Sequence, residues 1–137
     1  MGPPGIEAMI NRATQVREAG MTAVVSPILS AGISAITRKR NYTAQAFIKA
    51  SLLATNPEAY ARACLALASF QAELEYSKIK SPTLIIAGDE DKICPSATVQ
   101  FLQTAIVGSE VDTFKGVGHW HMLEDVQGVA AAVKAFL

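Results

Sequence analysis

An aspartate and a histidine, each placed just beyond a short apolar stretch, are the residues of this sequence best suited to chemistry. Asp91 ends the segment that follows the apolar residues 83–87, and His119 ends a glycine-rich segment after residues 110–114. A carboxylate that accepts the Nδ1–H of a histidine fixes the ring tautomer and stabilises the imidazolium, so the histidine can act as a general base. Asp91 and His119 are therefore the candidate catalytic residues, with His119 as the base and Asp91 as its acidic partner.

Each of these residues also has a simpler interpretation when taken alone. Asp89, Glu90 and Asp91 could be solvated turn residues after a strand, and His119 could be an ordinary loop histidine. The order of the segments favours the catalytic interpretation. A strand ending in Gly-x-x-Asp, a helix, a second strand and then Gly-x-Gly-His follow one another along the chain.

Other polar residues in the same segments could compete for these roles. His121 could replace His119 as the base. The two histidines could also bind a metal together with Glu124 and Asp125, but two histidines without a third well-spaced ligand are weak evidence for a metal site. Cys94 is better explained as a small buried thiol than as a nucleophile. We therefore expect no metal and no cofactor.

The first part of the chain has the pattern of consecutive helices. Residues 6–19 carry apolar residues at helical spacing, and Gly20 supplies a stop. A second helix over residues 21–37 could be split by Pro27, and a basic connector at residues 38–41 precedes a third helix over residues 42–54.

A fourth helix has the clearest start in the sequence. Asn56 can cap the free amides, Pro57 suits the first turn, and Glu58 favours the positive end of the helix dipole. We expect this helix to run to about residue 72. Its predicted apolar stripe consists of Ala59, Ala63, Leu67 and Phe70, with Tyr60 and Cys64 beside them.

After residue 81 the pattern changes from helical to alternating strands and helices. Residues 83–87 form a continuous apolar run, typical of a parallel strand that is buried on both faces. A helix over residues 96–105 with Ser96 as its cap, a strand over residues 110–114 and a last helix over residues 125–137 follow. This order predicts a right-handed parallel crossover in an α/β sheet. Ligand-contacting residues of such sheets gather beyond the carboxyl ends of the strands, where Asp91 and His119 fall.

Composition and charge exclude several classes of function. The chain has 137 residues, of which 50% are hydrophobic and 18% charged, as in a globular domain rather than a disordered segment. Twelve basic and twelve acidic residues give zero net charge, so we expect neither nucleic acid nor an anionic membrane as a partner. Cys64 and Cys94 lie on different predicted elements without metal-type spacing. They are expected to be reduced thiols, with a disulfide as the alternative.

The sequence shows no recognisable targeting or membrane segment. The first residues lack the basic and apolar regions of a secretory signal, and Ile6 stands where N-myristoylation needs Ser or Thr. The longest apolar stretch, residues 21–36, is interrupted by polar residues and is shorter than the ~20 residues that a bilayer requires. We therefore expect a cytoplasmic protein.

Two blocks of sequence resemble the acid loop and the histidine loop of the α/β-hydrolase superfamily. They are PTLIIAGDED at residues 82–91 and GVGHWHMLED at residues 116–125. The helical part, with EAGM at residues 18–21 and NPEAYARAC at residues 56–64, is similar to the cap of the 3-oxoadipate enol-lactonase-like group. The resemblance implies an α/β fold in which residues 1–80 form a helical cap and residues 81–137 form the C-terminal part of an incomplete hydrolase core. It gives Asp91 the acid role and His119 the base role.

One element of this resemblance is missing from the sequence. The nucleophile elbow, written G-x-S-x-G, occurs nowhere in the chain. The resemblance implies a serine hydrolase of small carboxylic esters or lactones, present here as a fragment without its nucleophile. Related hydrolase classes of this fold differ in tyrosines of the cap that take part in the reaction, and Tyr42 and Tyr60 are the candidates in this chain.

The alternative is a truncated, non-catalytic hydrolase that serves as an interaction module. It would act as a homo-oligomer or with a complementing chain, because two strands leave unpaired edges. An incomplete gene model would also explain the missing elbow.

Overall fold

The structure, a computed structural model, describes residues 3–70 and 74–137. Five helices come first: α1 (Pro3–Ala19), α2 (Thr22–Gly32), α3 (Ala35–Arg40), α4 (Tyr42–Ala54) and α5 (Pro57–Ser69). A 3₁₀ turn (Tyr76–Lys78) precedes β1 (Leu84–Gly88), α6 (Ser96–Ala105), β2 (Glu110–Phe114), α7 (His121–Glu124) and α8 (Val126–Phe136). Helices followed by strand, helix, strand and helix confirm the predicted fold class.

The two strands form a small parallel sheet, and α6 is the crossover between them. Leu84 pairs with Glu110 at one end, and Gly88 pairs with Phe114 at the other. The two strands therefore end side by side, so the loops that carry Asp91 and His119 leave the sheet at the same edge.

The chain divides into two compact units that are discontinuous in sequence. Among the described residues, the first unit comprises residues 3–29 and 47–70, and the second comprises residues 30–46 and 74–137. The second unit therefore contains both strands together with α3 and the segment before it. The functional division into a cap over residues 1–80 and a core over residues 81–137 stays a prediction.

In the first unit α1 packs against α5 through small side chains. Ala13 of α1 meets Ala61 and Cys64 of α5, with exposed fractions of 1%, 0% and 4%. The predicted stripe on α5 was wrong, because Ala59 and Ala63 are exposed and Leu67 and Phe70 are each 56% exposed. Cys64, predicted beside the stripe, is buried. Residues 61, 64 and 68 have the same helical spacing as the predicted set, and their small side chains let the two helix backbones approach closely.

The predicted boundaries of α2 and α6 need correction. Pro27 lies inside α2 without splitting it, and the chain instead leaves the helix after Gly32. The cap residue of α6 is Pro95 rather than Ser96, and the Pro95 carbonyl accepts from the amide of Thr98 at 2.8 Å. A proline suits this position because a cap residue adopts extended backbone and needs no amide of its own.

The last predicted helix corresponds to α8, and the short helix α7 before it was not predicted. Asp125 separates α7 from α8, and its carboxylate accepts the amide of Gly128 at 2.9 Å. This side-chain cap starts a new helix rather than continuing the previous one. At the other end of the helical region, α5 ends at Ser69 with Phe70 as its cap residue, and the rest of its predicted course, residues 71–72, lies outside the described residues.

No helix within residues 3–70 and 74–137 is both long and apolar enough to cross a membrane.

Candidate active site

Asp91 and His119 lie in direct contact beyond the carboxyl ends of β1 and β2. The distance from Asp91 Oδ2 to His119 Nδ1 is 2.9 Å. Asp91 reaches this position from the turn after β1, and His119 from the glycine-rich loop after β2. The neighbouring strand ends thus bring together the two residues that the sequence singled out.

The Asp91 carboxylate is buried and surrounded by donors. Its side chain is 7% exposed, and its Oδ1 accepts the amides of Ile93 at 2.8 Å and Cys94 at 2.9 Å. Burial alone raises the pKa of this carboxyl, but the Cys94 amide, His119 and the Ile93 amide together outweigh burial and leave the pKa below its ordinary value. Asp91 is therefore an ionised hydrogen-bond acceptor at neutral pH.

The His119 ring is bound at one nitrogen and 38% exposed. A carboxylate partner at Nδ1 assigns the proton of the neutral ring to Nδ1 and leaves Nε2 as the nitrogen that can accept a proton. The main chain is held as well, because the His119 amide donates to the carbonyl of Gly32 at 2.7 Å. The Trp120 ring packs on Gly32, where a Cβ would lie 2.1 Å from the ring.

Direct hydrogen bonds join the two loops near the site. The amide of Gly116 donates to Asp89 Oδ1 at 2.6 Å, and the amide of Glu90 donates to the carbonyl of Val117 at 2.9 Å. Gly88 allows this approach, because a Cβ there would lie 2.3 Å from the Val117 carbonyl oxygen. Asp89, which the sequence offered only as a turn residue, thus links the acid loop to the histidine loop.

His121 and Cys94, the other residues considered for catalytic roles, have different surroundings. His121 Nδ1 lies 3.0 Å from the carbonyl oxygen of His119. Burial and the nearby charge of Asp91 raise the pKa of the Cys94 thiol, so this group is a poor nucleophile at neutral pH. In the described part of the chain, no three histidine, cysteine or acidic residues gather where they could hold a metal ion.

The two cap tyrosines considered above lie in different surroundings. Tyr42, at the start of α4, is 71% exposed. Tyr60 of α5 lies beside Cys64 and Arg12 in the first unit, and its partial burial raises the pKa of the phenol.

A cavity of about 450 Å³ adjoins the carboxylate side of this pair. It lies between α6 and the sheet. Its lining includes Asp89, Asp91, Ser96, Gln100, Val111 and Thr113. Its lining combines polar side chains with apolar residues, as in pockets that bind small molecules of mixed polarity.

Solved structures share the fold of this chain. A thermophilic esterase from Thermogutta terrifontis superposes with a TM-score of 0.88 at 21% identity, over 99% of this chain and 50% of that one. The enol-lactonase from Burkholderia xenovorans LB400 gives 0.85 at 27% identity, over 95% of this chain and 50% of that one. The chain is related to the α/β-hydrolases. A hydrolase from Pseudomonas aeruginosa PA01 gives 0.85 at 23% identity, over 99% of this chain and 51% of that one.

The chain spans about half the length of each of these solved structures. It therefore has part of an α/β-hydrolase fold, with a two-stranded piece of the sheet among the described residues. No protein-family model matches the chain, and no curated protein does.

Proposed function

We propose that this chain belongs to a serine hydrolase of small carboxylic esters or lactones and contributes the acid and the base of its catalytic triad. The observation that carries the proposal is the 2.9 Å contact between His119 Nδ1 and Asp91 Oδ2 at adjoining strand ends. It leaves Nε2 of a partly exposed ring free to take a proton, as general-base catalysis requires.

The proposed reaction proceeds in two steps. His119 Nε2 takes the proton of a serine hydroxyl while the serine oxygen attacks the ester carbonyl, and the protonated ring then gives that proton to the departing alkoxide. Water attacks the resulting acyl-enzyme in the same way, releasing the carboxylic acid and restoring the serine. Asp91 keeps its negative charge throughout and stabilises the imidazolium. The serine is proposed to lie outside residues 1–137, since the chain has no nucleophile elbow.

The substrate class is supported by the matched proteins and by the chain's charge. Two of the matched structures are an esterase and an enol-lactonase, the latter at 27% identity. Zero net charge gives no reason to expect a polyanionic substrate. A cytoplasmic location belongs to the same proposal, supported by the free thiols of Cys64 and Cys94.

A second candidate function is an interaction module without catalysis. It is supported by apolar side chains that face outward in the second unit: Phe101 is 55% exposed, Val126 61% and Val107 83%. Exposed apolar groups of this kind favour association with a second copy or a complementing chain.

The test uses the native protein isolated from the cells that produce it. The protein is assayed with p-nitrophenyl acetate and a simple lactone, and treated with a fluorophosphonate that labels activated serines. We expect hydrolysis and one labelled serine, and we expect His119→Ala to lower the rate at least about a thousandfold. His121→Ala is the matched control and should keep activity within a few-fold. Mass analysis of the labelled species then identifies the polypeptide that carries the serine.

A folded native protein that takes no label and hydrolyses neither substrate would falsify the hydrolase proposal. If it also forms a stable homo-oligomer or complex that His119→Ala leaves intact, the interaction module becomes the better account.

A further inference from the structure

We propose that Glu90 and Glu124 are positioning residues that hold the acid loop and the histidine loop in register through the start of α3. The inference rests on the proposed function, because it concerns how Asp91 and His119 are kept in contact. Glu90 directly precedes Asp91, and Glu124 ends α7, the short helix that follows His119. Both carboxylates bind neighbouring amides of the same segment.

The two contacts are short and lie side by side. Glu90 Oε2 accepts the amide of Ala35 at 2.7 Å, and Glu124 Oε2 accepts the amide of Ser34 at 2.9 Å. These amides belong to the first turn of α3, where no intrahelical acceptor is available and the helix dipole favours negative charge. One carboxylate comes from each loop, so the segment bridges the two loops.

A third bond fixes the histidine itself to this bridge. Gly32, two residues before Ser34, accepts the amide of His119 at 2.7 Å. We call residues 32–35 the bridging segment. It holds the main chain of His119 at one end and Glu90, the neighbour of Asp91, at the other.

The atoms around the bridging segment are closely packed. A Cβ at Gly118 would lie 2.3 Å from the carbonyl oxygen of Gly32 and 2.9 Å from the amide of Ser34. Ser34 is fully buried, and its hydroxyl accepts the amide of Thr37 at 3.1 Å. Because the bridging segment binds both loops through its own backbone amides and carbonyl, a shift of this segment would be transmitted to both loops.

Helix capping alone is a weak reason for Glu124. Ser34 already caps α3 with its own hydroxyl. Glu124 Oε1 is buried and has no hydrogen-bond partner among the described residues, and an unpaired buried polar atom costs free energy that an apolar side chain would avoid. A role in holding the histidine loop against the bridging segment explains why a carboxylate occupies this position despite that cost.

The test reads the Asp91–His119 contact directly in this chain, without any activity. Side-chain carboxyl NMR titration gives the pKa of Asp91, and the Nδ1 proton shift reports its bond to His119. We expect Glu90→Ala and Glu124→Ala to raise the pKa of Asp91 and weaken the Nδ1 resonance. Removing a nearby negative charge would by itself lower that pKa, so the expected sign identifies loss of positioning.

Conservative variants and a matched control complete the design. Glu90→Gln and Glu124→Gln keep an oxygen acceptor for each amide and should not raise the pKa of Asp91. Asn56→Ala removes the side-chain cap of α5, which accepts from Ala59 at 3.0 Å, and should lower stability without moving the pKa of Asp91. His119→Ala is the positive control and should raise it.

Alanine variants that fold and leave the pKa of Asp91 unchanged, while His119→Ala raises it, would overturn the positioning role. The same follows if the Gln variants raise the pKa as much as the Ala variants. If an Ala variant fails to fold, the Gln variants still decide the question, because a rise with the acceptor retained contradicts it. Since fluorophosphonate labelling tests the hydrolase proposal separately, failure of one proposal is distinguishable from failure of the other.

Discussion

The contact between α1 and α5 and the loops around His119 are both tightly packed, but by different groups. In the first, Ala13, Ala61 and Cys64 bring two helices together through small side chains. In the second, Gly118 and Gly32 bring backbone against backbone, and hydrogen bonds to carboxylates complete the contact. Side-chain packing tolerates some rearrangement, whereas a backbone contact without Cβ atoms has no group that can move aside.

The acidic residues of the two regions show the same difference. Hydrogen bonds from Arg17 and then Arg62 lower the pKa of Glu58 to about 2. The Glu58 side chain is 47% exposed, so water and salt screen these interactions. Asp91 is 7% exposed and takes two of its three hydrogen bonds from backbone amides. The low pKa of Glu58 therefore comes from exposed ion pairs, whereas the low pKa of the buried Asp91 comes largely from backbone amides.

The largest effect is expected where backbone meets backbone. Gly118→Ala places a methyl group 2.3 Å from the carbonyl oxygen of Gly32, which cannot move without releasing His119. We expect a loss of more than about 3 kcal/mol in the free energy of unfolding, measured by urea denaturation. Gly108→Ala is the matched control, since its φ is +83° with nothing within 4 Å, and should cost about 1–2 kcal/mol. Equal losses would remove the distinction between the two kinds of contact.

The next effect concerns the small residues between α1 and α5. Ala61→Leu adds volume at a position that is 0% exposed, and should cost about 1–3 kcal/mol by overpacking. Ala63→Leu lies on the exposed face of the same helix and should stay within about 0.5 kcal/mol of the wild type. Thermal unfolding of both variants measures the difference. If Ala63→Leu were the more damaging change, the packing face of α5 would be assigned wrongly.

The smallest expected effect is the pH dependence of stability that the Asp91 and Glu58 carboxyl groups cause. Both have lowered pKa values in the folded state, so each stabilises the fold above its ordinary pKa, 3.8 for Asp91 and 4.5 for Glu58. Each contribution is lost as the pH falls through the folded-state value, which is about 2 for Glu58.

Raising salt separates the two carboxyl groups. At about 1 M NaCl we expect the pKa of Glu58 to rise towards 4.5, while that of Asp91 stays where it is at low salt. Carboxyl NMR titrations at low and high salt measure both. Equal responses would mean that Asp91 is screened like a surface charge.

Much of the fold follows from local patterns in the sequence. The run at residues 83–87 predicted β1 to within a residue, and the helix-start signal at Asn56 and Pro57 predicted where α5 begins. The cap at Asn56 is confirmed, because its side chain accepts the amide of Ala59 at 3.0 Å. The buried face of α5 was assigned wrongly, because two sets of residues share the helical period and only the partner helix selects between them.

The candidate site residues could be proposed from residue type and position, but the residues that support them could not. Asp91 and His119 follow strands in a recognisable order. Glu90 and Glu124 bind amides far away in sequence, 55 and 90 residues from Ala35 and Ser34. The spacing of residues along the chain does not predict such pairs, because their geometry depends on how α3 packs against both loops.

The sequence by itself determined the order of helices and strands and placed Asp91 and His119 after neighbouring strands, because periodicity and turn chemistry act over a few residues. The tertiary structure decided which face of α5 is buried and which carboxylates hold the bridging segment. These features depend on contacts between residues distant in the chain, whose closeness is fixed only when the elements pack.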